Sequence, residues 1–271
     1  IDDAEITAVM ATTLEKASGV GDRFKVPNRF QDFDALLACN DIDAVILATP
    51  TQLHAEQGLK AMNAGKHVLI EIPMSDSYAN SEALVKKQEE TQLVAMAGHV
   101  RRFNPSHQWM HQKIQAGALN IQQLDVQTYF FRRTNMNAKG EARSWTDHLL
   151  WHHVCHTIDL FQYQCGEEIS EVHAVQGPIH PDLGIAMDMA ILMKTPSGKL
   201  CTLSLSFNND GPIGTYFRYI CDNGTYVASY DDLFDGNNEQ VDVSGVAVSM
   251  NGIELIDREF VRAIRDGVEP N

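Results

Sequence analysis

Residues 44–98 read AVILATPTQLHAEQGLKAMNAGKHVLIEIPMSDSYANSEALVKKQEETQLVAMAG. The apolar runs Ala44–Pro50, His67–Ile72 and Leu93–Gly98 are short, partly β-branched and bounded by turn residues. Between them lie two helical patterns. Thr51–Gly65 carries Ala55, Leu59 and Met62 at i, i+4 and i+7, with Thr51 placed as N-cap and Gly65 as stop. Asn80–Gln92 predicts a charged surface helix, and an earlier run, Glu5–Ala11, predicts a further strand. Strands alternating with helices of this length predict βαβ units and a parallel sheet. Such sheets bind ligands at the carboxyl ends of their strands. That singles out Thr49, Pro50, Thr51, Glu71, Ile72, Pro73, His99 and Arg101. Thr49-Pro50-Thr51 also reads as a plain helix-capping turn.

No G-x-G-x-x-G turn occurs in the chain, although this architecture places one after its first strand. The chain is therefore expected to open about one strand-plus-helix unit into such a fold. Its close, Glu269-Pro270-Asn271 directly after a helix, also reads as cut short.

From about residue 120 the period changes. Leu124–Arg133, Glu171–Ile179, Ile185–Thr195, Leu200–Asn208, Thr215–Asp222 and Thr225–Asp231 predict strands. Leu203, Leu205 and Phe207 alternate with Thr202, Ser204 and Ser206, giving that strand one apolar and one wetter face. Pro196-Ser197-Gly198 and Asn223-Gly224 predict hairpin turns, and Ile253–Arg265 a final amphipathic helix. Two domains follow, residues 1–99 with the parallel sheet and residues 100–271 with a large, mainly antiparallel sheet. The second domain is expected to bind substrate and to carry subunit association.

The chain has 271 residues and a net charge of −15. A field of that sign opposes nucleic acid and anionic membranes as partners. Five scattered cysteines without a CxxC pair fit reduced thiols and a cytoplasmic protein. An anionic substrate then needs a local basic cluster. Arg101-Arg102 follow the last parallel strand, Arg132-Arg133 end the first antiparallel one, and Arg143 precedes a histidine-rich segment. Guanidinium forks grip carboxylates at two points, so a small polycarboxylate suits them. Surface pairing with the abundant acids is the competing fate. Lys139 and Asn135–Asn137, in the loop between these arginines, read as lid or as plain linker.

The histidine-rich segment is Asp147–Phe161, DHLLWHHVCHTIDLF. On an α-helix His148, His152, His156 and Asp159 share one face at i, i+4, i+8 and i+11. A neutral imidazole with a carboxylate one turn away suits a general base. The same groups also suit a transition metal, or a solvated polar face.

At Ala48-Thr49-Pro50 with His54, then Ala64-Gly65-Lys66-His67-Val68 and Glu71-Ile72-Pro73, the chain resembles the Gfo/Idh/MocA oxidoreductases. The resemblance runs through His156 and Asp159, the last two members of that family's D-x-G-x-H-x-x-D segment, to the closing Phe260–Asn271. It implies a Rossmann-type parallel sheet, with its first strand and glycine-rich turn missing here, plus an α+β domain. It also implies hydride transfer with NADP or NAD, and a homodimer joined through the antiparallel sheet, in which Leu203, Leu205 and Phe207 or their neighbours are buried. Within the family, the strings Gly98–His107, Tyr129–Arg133, Arg143–His148 and Gln176–Pro181 resemble members that oxidise a dicarboxylated cyclic hemiacetal with NADP.

By position, the resemblance puts Thr49, Pro50, His54, Glu71 and Ile72 beside the nicotinamide and its ribose. Thr12 and Thr13 follow the strand where an acidic residue clasps the ribose of NAD; with no carboxylate there and Lys16 near, NADP is favoured. Ile72 stands where most members carry a catalytic lysine, so the base is expected in the imidazole stripe. His156 is placed as base, His152 as its assistant and Asp159 as its orienting carboxylate. His99, Arg101, Arg102, Arg132 and Arg143 are placed on substrate, and no metal site is assigned. The competing functions are a related dehydrogenase of another cyclic sugar or acid, a non-catalytic cofactor-binding regulator, and a metal-dependent hydrolase.

Overall fold

The computed structural model describes residues 3–137, 140–143, 146–246 and 252–271. The chain divides into two compact units, Ile1–Gly98 with Ile256–Asn271, and His99–Leu255.

The first unit alternates as β1 (Ala8–Met10), α1 (Leu14–Phe24), β2 (Asn28–Phe30), α2 (Phe33–Leu37), β3 (Ala44–Leu47), α3 (Thr51–Asn63), β4 (His67–Ile70), α4 (Tyr78–Thr91) and β5 (Ala95–Ala97). Every strand pairing here is parallel. The strands form two separate sheets, β1-β2 and β3-β4-β5. Leu47, Val68 and Ile70 pack beneath Ala61, Met62 and Leu84, which makes the core. Gly58 on α3 permits this approach, since a Cβ there would meet Ile70 Cδ1 and Leu84 Cδ2 at 2.8 Å. The α3 N-cap is Pro50, with no side-chain cap, so Thr51 is the first helical residue rather than the cap. Pattern reading leaves out α1 and β2: LEKASGVGDRF holds two glycines, and a three-residue strand carries no period to read.

The second unit holds α5 (Pro105–Gln115), β6 (Ile121–Tyr129), α6 (Cys155–Cys165), β7 (Glu171–Gln176), β8 (Asp188–Lys194), β9 (Leu200–Ser206), β10 (Gly214–Cys221), β11 (Gly224–Ser229) and β12 (Asp232–Asp235). Its seven-stranded sheet has the order β12-β11-β10-β6-β9-β8-β7. All pairs are antiparallel except β6 with β9, so the sheet is mixed. The strand β12 lies beyond the predicted Thr225–Asp231 run. Cys221 pairs with Gly224, so the β10–β11 turn is Asp222-Asn223, one residue earlier than predicted.

Leu203, Leu205 and Phe207, expected at a subunit boundary, are instead buried with Leu124, Val126, Phe217 and Phe161 in this unit's own core. Alternation puts Ser204 on the exposed face of β9. The last helix, α7 (Gly252–Asp266), buries Ile256, Glu259, Phe260 and Ala263 along one stripe. Residues 256–271 group with the first unit, not with the second domain as expected. Lys139, read as lid or linker, and Ser144-Trp145 of the Arg143–His148 string lie outside the described residues.

Candidate active site

In the first unit the candidate residues stand at the carboxyl ends of strands. Thr13 caps α1 just past β1, its Oγ1 accepting from the Lys16 amide at 3.2 Å. Lys16 Nζ donates to Thr12 Oγ1 at 3.4 Å. After β3, Thr49 Oγ1 donates to Gln57 Oε1 at 2.6 Å. His54, only 2% exposed, has Nδ1 2.9 Å from the Pro73 carbonyl oxygen and Nε2 2.7 Å from that of Thr49. Both of its ring nitrogens are thus committed to backbone, and the ring ties the end of β3 to the segment after β4. Glu71 follows β4 and is half-buried beside the half-buried Ile72. Burial pushes the Glu71 carboxyl up, against the Ile72 amide and the nearby His54 ring. Gly98 leaves room for this carboxylate, since a Cβ there would lie 3.3 Å from Glu71 Oε2.

The second unit gathers the charged candidates. After His99 the chain turns through a 3₁₀ segment, Val100–Phe103, into α5, with Pro105 at its first turn. Arg102 grips Asp159 in a fork, Nε to Oδ2 at 2.8 Å and Nη2 to Oδ1 at 2.5 Å. His99 Nδ1 lies 3.7 Å from the same carboxylate. Arg101 lies over the Tyr230 ring, 4.8 Å from its centroid.

A second carboxylate, Asp147, is 7% exposed and collects more cations. It accepts from His153 Nε2 at 3.1 Å and from Arg132, with Arg143 Nη1 at 3.5 Å. Burial alone pushes its carboxyl up. The hydrogen bond and charge of His153, then the charge of Arg132, override this and hold it at about 2.

His156 belongs to neither carboxylate. Its Nδ1 is buried with no hydrogen-bond partner among the described residues. Burial, then the charges of Arg101, His99 and His153, holds its pKa well below the ordinary imidazole value. His99, His148 and His152 are also lowered, each first by burial.

Of the stripe predicted for His148, His152, His156 and Asp159, the structure keeps the first pair one turn apart, the His152 amide donating to the His148 carbonyl at 2.9 Å. Leu149–Val154 is π-helical and α6 begins only at Cys155. The wider turns of this segment shift the register of the residues beyond it. His148 stands outside as the cap, its Nδ1 accepting from the Leu150 amide at 3.1 Å. His152 Nδ1 accepts from the His148 amide at 3.0 Å. Asp159 faces Arg102 rather than orienting His156. Arg133, the exposed member of its pair, turns to backbone carbonyls and stacks on Phe131 at 4.2 Å. Asp147, His153 and Tyr230 were missed as candidates. Asp147 and His153 lie within the quoted stripe but off its helical period, and Tyr230 sits in a distant hairpin with no local motif. Among the described residues no group of three or more His, Cys, Asp or Glu side chains is gathered to hold a metal ion.

Family models match both parts of the chain. "Oxidoreductase family, NAD-binding Rossmann fold" covers residues 1–99, and "Bacterial oxidoreductases, C-terminal" covers residues 105–247. The 4-carboxy-2-hydroxymuconate-6-semialdehyde dehydrogenase of Sphingobium sp. is 64% identical over all of this chain and 86% of its own length. The 2,7-anhydro-N-acetylneuraminate hydratase of Escherichia coli is 30% identical over 83% of this chain and 60% of its own. Among solved structures, an oxidoreductase of Thermotoga maritima superposes with a TM-score of 0.84 at 21% identity, over 98% of this chain and 82% of its own. The chain thus belongs to the Gfo/Idh/MocA oxidoreductase family, as a dehydrogenase with a nicotinamide-binding Rossmann domain.

Proposed function

We propose that the protein oxidises the cyclic hemiacetal of 4-carboxy-2-hydroxymuconate-6-semialdehyde to the lactone 2-pyrone-4,6-dicarboxylate, in the catabolism of aromatic acids. The observation that carries this reading is the pair of arginine groups in one unit, Arg101-Arg102 and Arg132 with Arg143, whose neighbours His99, Arg101 and His153 all act on His156. Two cationic groups and a neutral imidazole that feels Arg101, His99 and His153 suit a dicarboxylate whose reacting hydroxyl must lose a proton. His156 takes that proton as the hemiacetal carbon becomes a lactone carbonyl. Asp159 and Asp147 hold the arginine forks in place; His152 and His148 pack the turn that presents them.

The nicotinamide cofactor, when bound, accepts the hydride released from that carbon. Thr49, Pro50, Glu71 and Ile72 would hold its nicotinamide end, with His54 fixing the backbone of Thr49 and Pro73. Thr12, Thr13 and Lys16 present two hydroxyls and an ammonium at the start of α1, a donor set for a phosphate rather than a ribose hydroxyl. NADP is therefore the proposed acceptor.

The test follows reduced-nicotinamide absorbance with the ring-cleavage product of protocatechuate, NADP against NAD. Turnover with NADP preferred is the expected result; inertness with both cofactors sinks the reading. Lys16→Glu is expected to raise KM for NADP by about tenfold or more while sparing NAD, the scale of one lost charged hydrogen bond. An unchanged NADP-to-NAD ratio refutes the assignment of Lys16.

The exposed face of the seven-stranded sheet, with Val175 and Leu192, is the proposed homodimer surface, which sedimentation would test. All five cysteines are free, which supports a cytoplasmic protein. No described helix is long and apolar enough to cross a membrane.

A further inference from the structure

Between β11 and β12 the chain reverses through Tyr230 and Asp231 alone, because Ser229 pairs with Asp232. Tyr230 has φ 52°. Two-residue hairpins place glycine, asparagine or aspartate where φ is positive, and a bulky ring there is strained. A residue that breaks a local rule points to a task for its side chain. The ring lies beneath the Arg101 guanidinium, 4.8 Å from centroid to Cζ. The Tyr230 carbonyl oxygen accepts from Ser106 Oγ, and Asp231 Oδ1 accepts from Asn104 Nδ2 at 2.7 Å. One turn therefore holds Arg101, Asn104 and Ser106 together.

Arg101 has no carboxylate fork of the kind Asp159 gives Arg102. Its Nε is buried with no hydrogen-bond partner among the described residues, an N–H left facing the interior. Burial lowers the guanidinium's pKa, with Tyr230 and Asp231 opposing that shift. The Tyr230 side chain engages the guanidinium through its ring face and a hydrogen bond, yet leaves the buried Nε–H uncommitted for an incoming anion.

We propose that Tyr230 is a positioning residue that sets Arg101 to receive one carboxylate of the substrate, and so selects dicarboxylates over monocarboxylates. This rests on the dicarboxylate reading above. Arg102 and Arg132 share their donors with Asp159 and Asp147, whereas the Nε of Arg101, set by Tyr230, is committed to no carboxylate.

The experiment compares the full chain with Tyr230→Gly and Tyr230→Phe. It measures KM and kcat on the semialdehyde, affinity for 2-pyrone-4,6-dicarboxylate against 2-pyrone-6-carboxylate, and the thermal midpoint. Tyr230→Gly is expected to weaken dicarboxylate binding about tenfold, the scale of a desolvated cation–π contact, and to raise KM more than it lowers kcat. The preference for the dicarboxylate narrows. Its midpoint holds or rises, because glycine relieves the positive φ. Tyr230→Phe keeps the ring but loses the hydroxyl contact to Arg101, and is expected to fall between wild type and Tyr230→Gly in dicarboxylate affinity. Unchanged dicarboxylate affinity in Tyr230→Gly, with wild type active, overturns the inference and leaves the reaction standing. A lowered midpoint with KM and kcat worsening together also overturns it, since that marks a merely structural turn. A wild type that neither oxidises the semialdehyde nor binds the dicarboxylate overturns the substrate reading and this inference with it.

Discussion

His156→Ala is expected to lower kcat by about 10²–10⁴, the usual contribution of a positioned general base, with a much smaller change in KM. The side chain is part-buried, and burial, then Arg101 and His99, disfavours its cationic form. It is therefore neutral at pH 7, which is the form that accepts a proton. The sign of the pH dependence follows. Activity is lost as the imidazole becomes protonated, and its pKa lies well below 6.5, so the acid limb of kcat/KM should fall below that pH. Near-normal kcat in the alanine variant, with an intact thermal midpoint, would remove His156 from the base role. An acid limb centred at or above pH 6.5 would contradict the burial argument instead.

Asp147→Ala carries the largest expected loss of stability, about 3–5 kcal/mol, because it strands buried cations rather than deleting one surface contact. Arg132 is 18% and Arg143 22% exposed at the side chain, and both lie on this carboxylate with His153. Urea unfolding at pH 7 reads the difference; a loss under about 1 kcal/mol would mark the cluster as ordinary surface pairing. The same group gives an acid signature. Its folded pKa of about 2 lies below the ordinary 3.8, so ionisation favours the folded state. That contribution, about 2 kcal/mol, is fully present above pH 4 and is lost as pH falls through the folded value. Asp147→Asn should flatten this limb, and the titration of unfolding free energy from pH 5 to pH 2 tests it.

The two predictions lean on features with different visibility in the sequence. The apolar runs at Ala44–Pro50 and His67–Ile72 place strands because a strand buried on both faces needs consecutive apolar residues. The observed β3 and β4 lie within those runs. The strand-end positions of Thr49, Glu71 and Thr13 follow from the same alternation. By contrast, the spacing of His148, His152, His156 and Asp159 assumes 3.6 residues per turn throughout; His148 and His152 keep it, and the π-helical Leu149–Val154 shifts it for the residues beyond. A backbone hydrogen-bond pattern of that kind has no residue signature, so the shift is invisible in a sequence that names each member of the stripe.

The sequence by itself determined that a parallel α/β segment precedes a largely antiparallel sheet, and that cations gather near a histidine segment in an acidic chain. Local patterning suffices for this, because burial imposes its period on neighbouring residues. Only the tertiary structure decided which carboxylate each arginine meets, that His54 clamps Thr49 and Pro73, that Leu203, Leu205 and Phe207 face the unit's own core, and that Tyr230 lies under Arg101. Those pairings join residues far apart along the chain, such as Arg102 with Asp159 and Arg101 with Tyr230. Charge–charge and cation–ring attraction depend on separation in space and on how much water is excluded, and neither is encoded in sequence spacing.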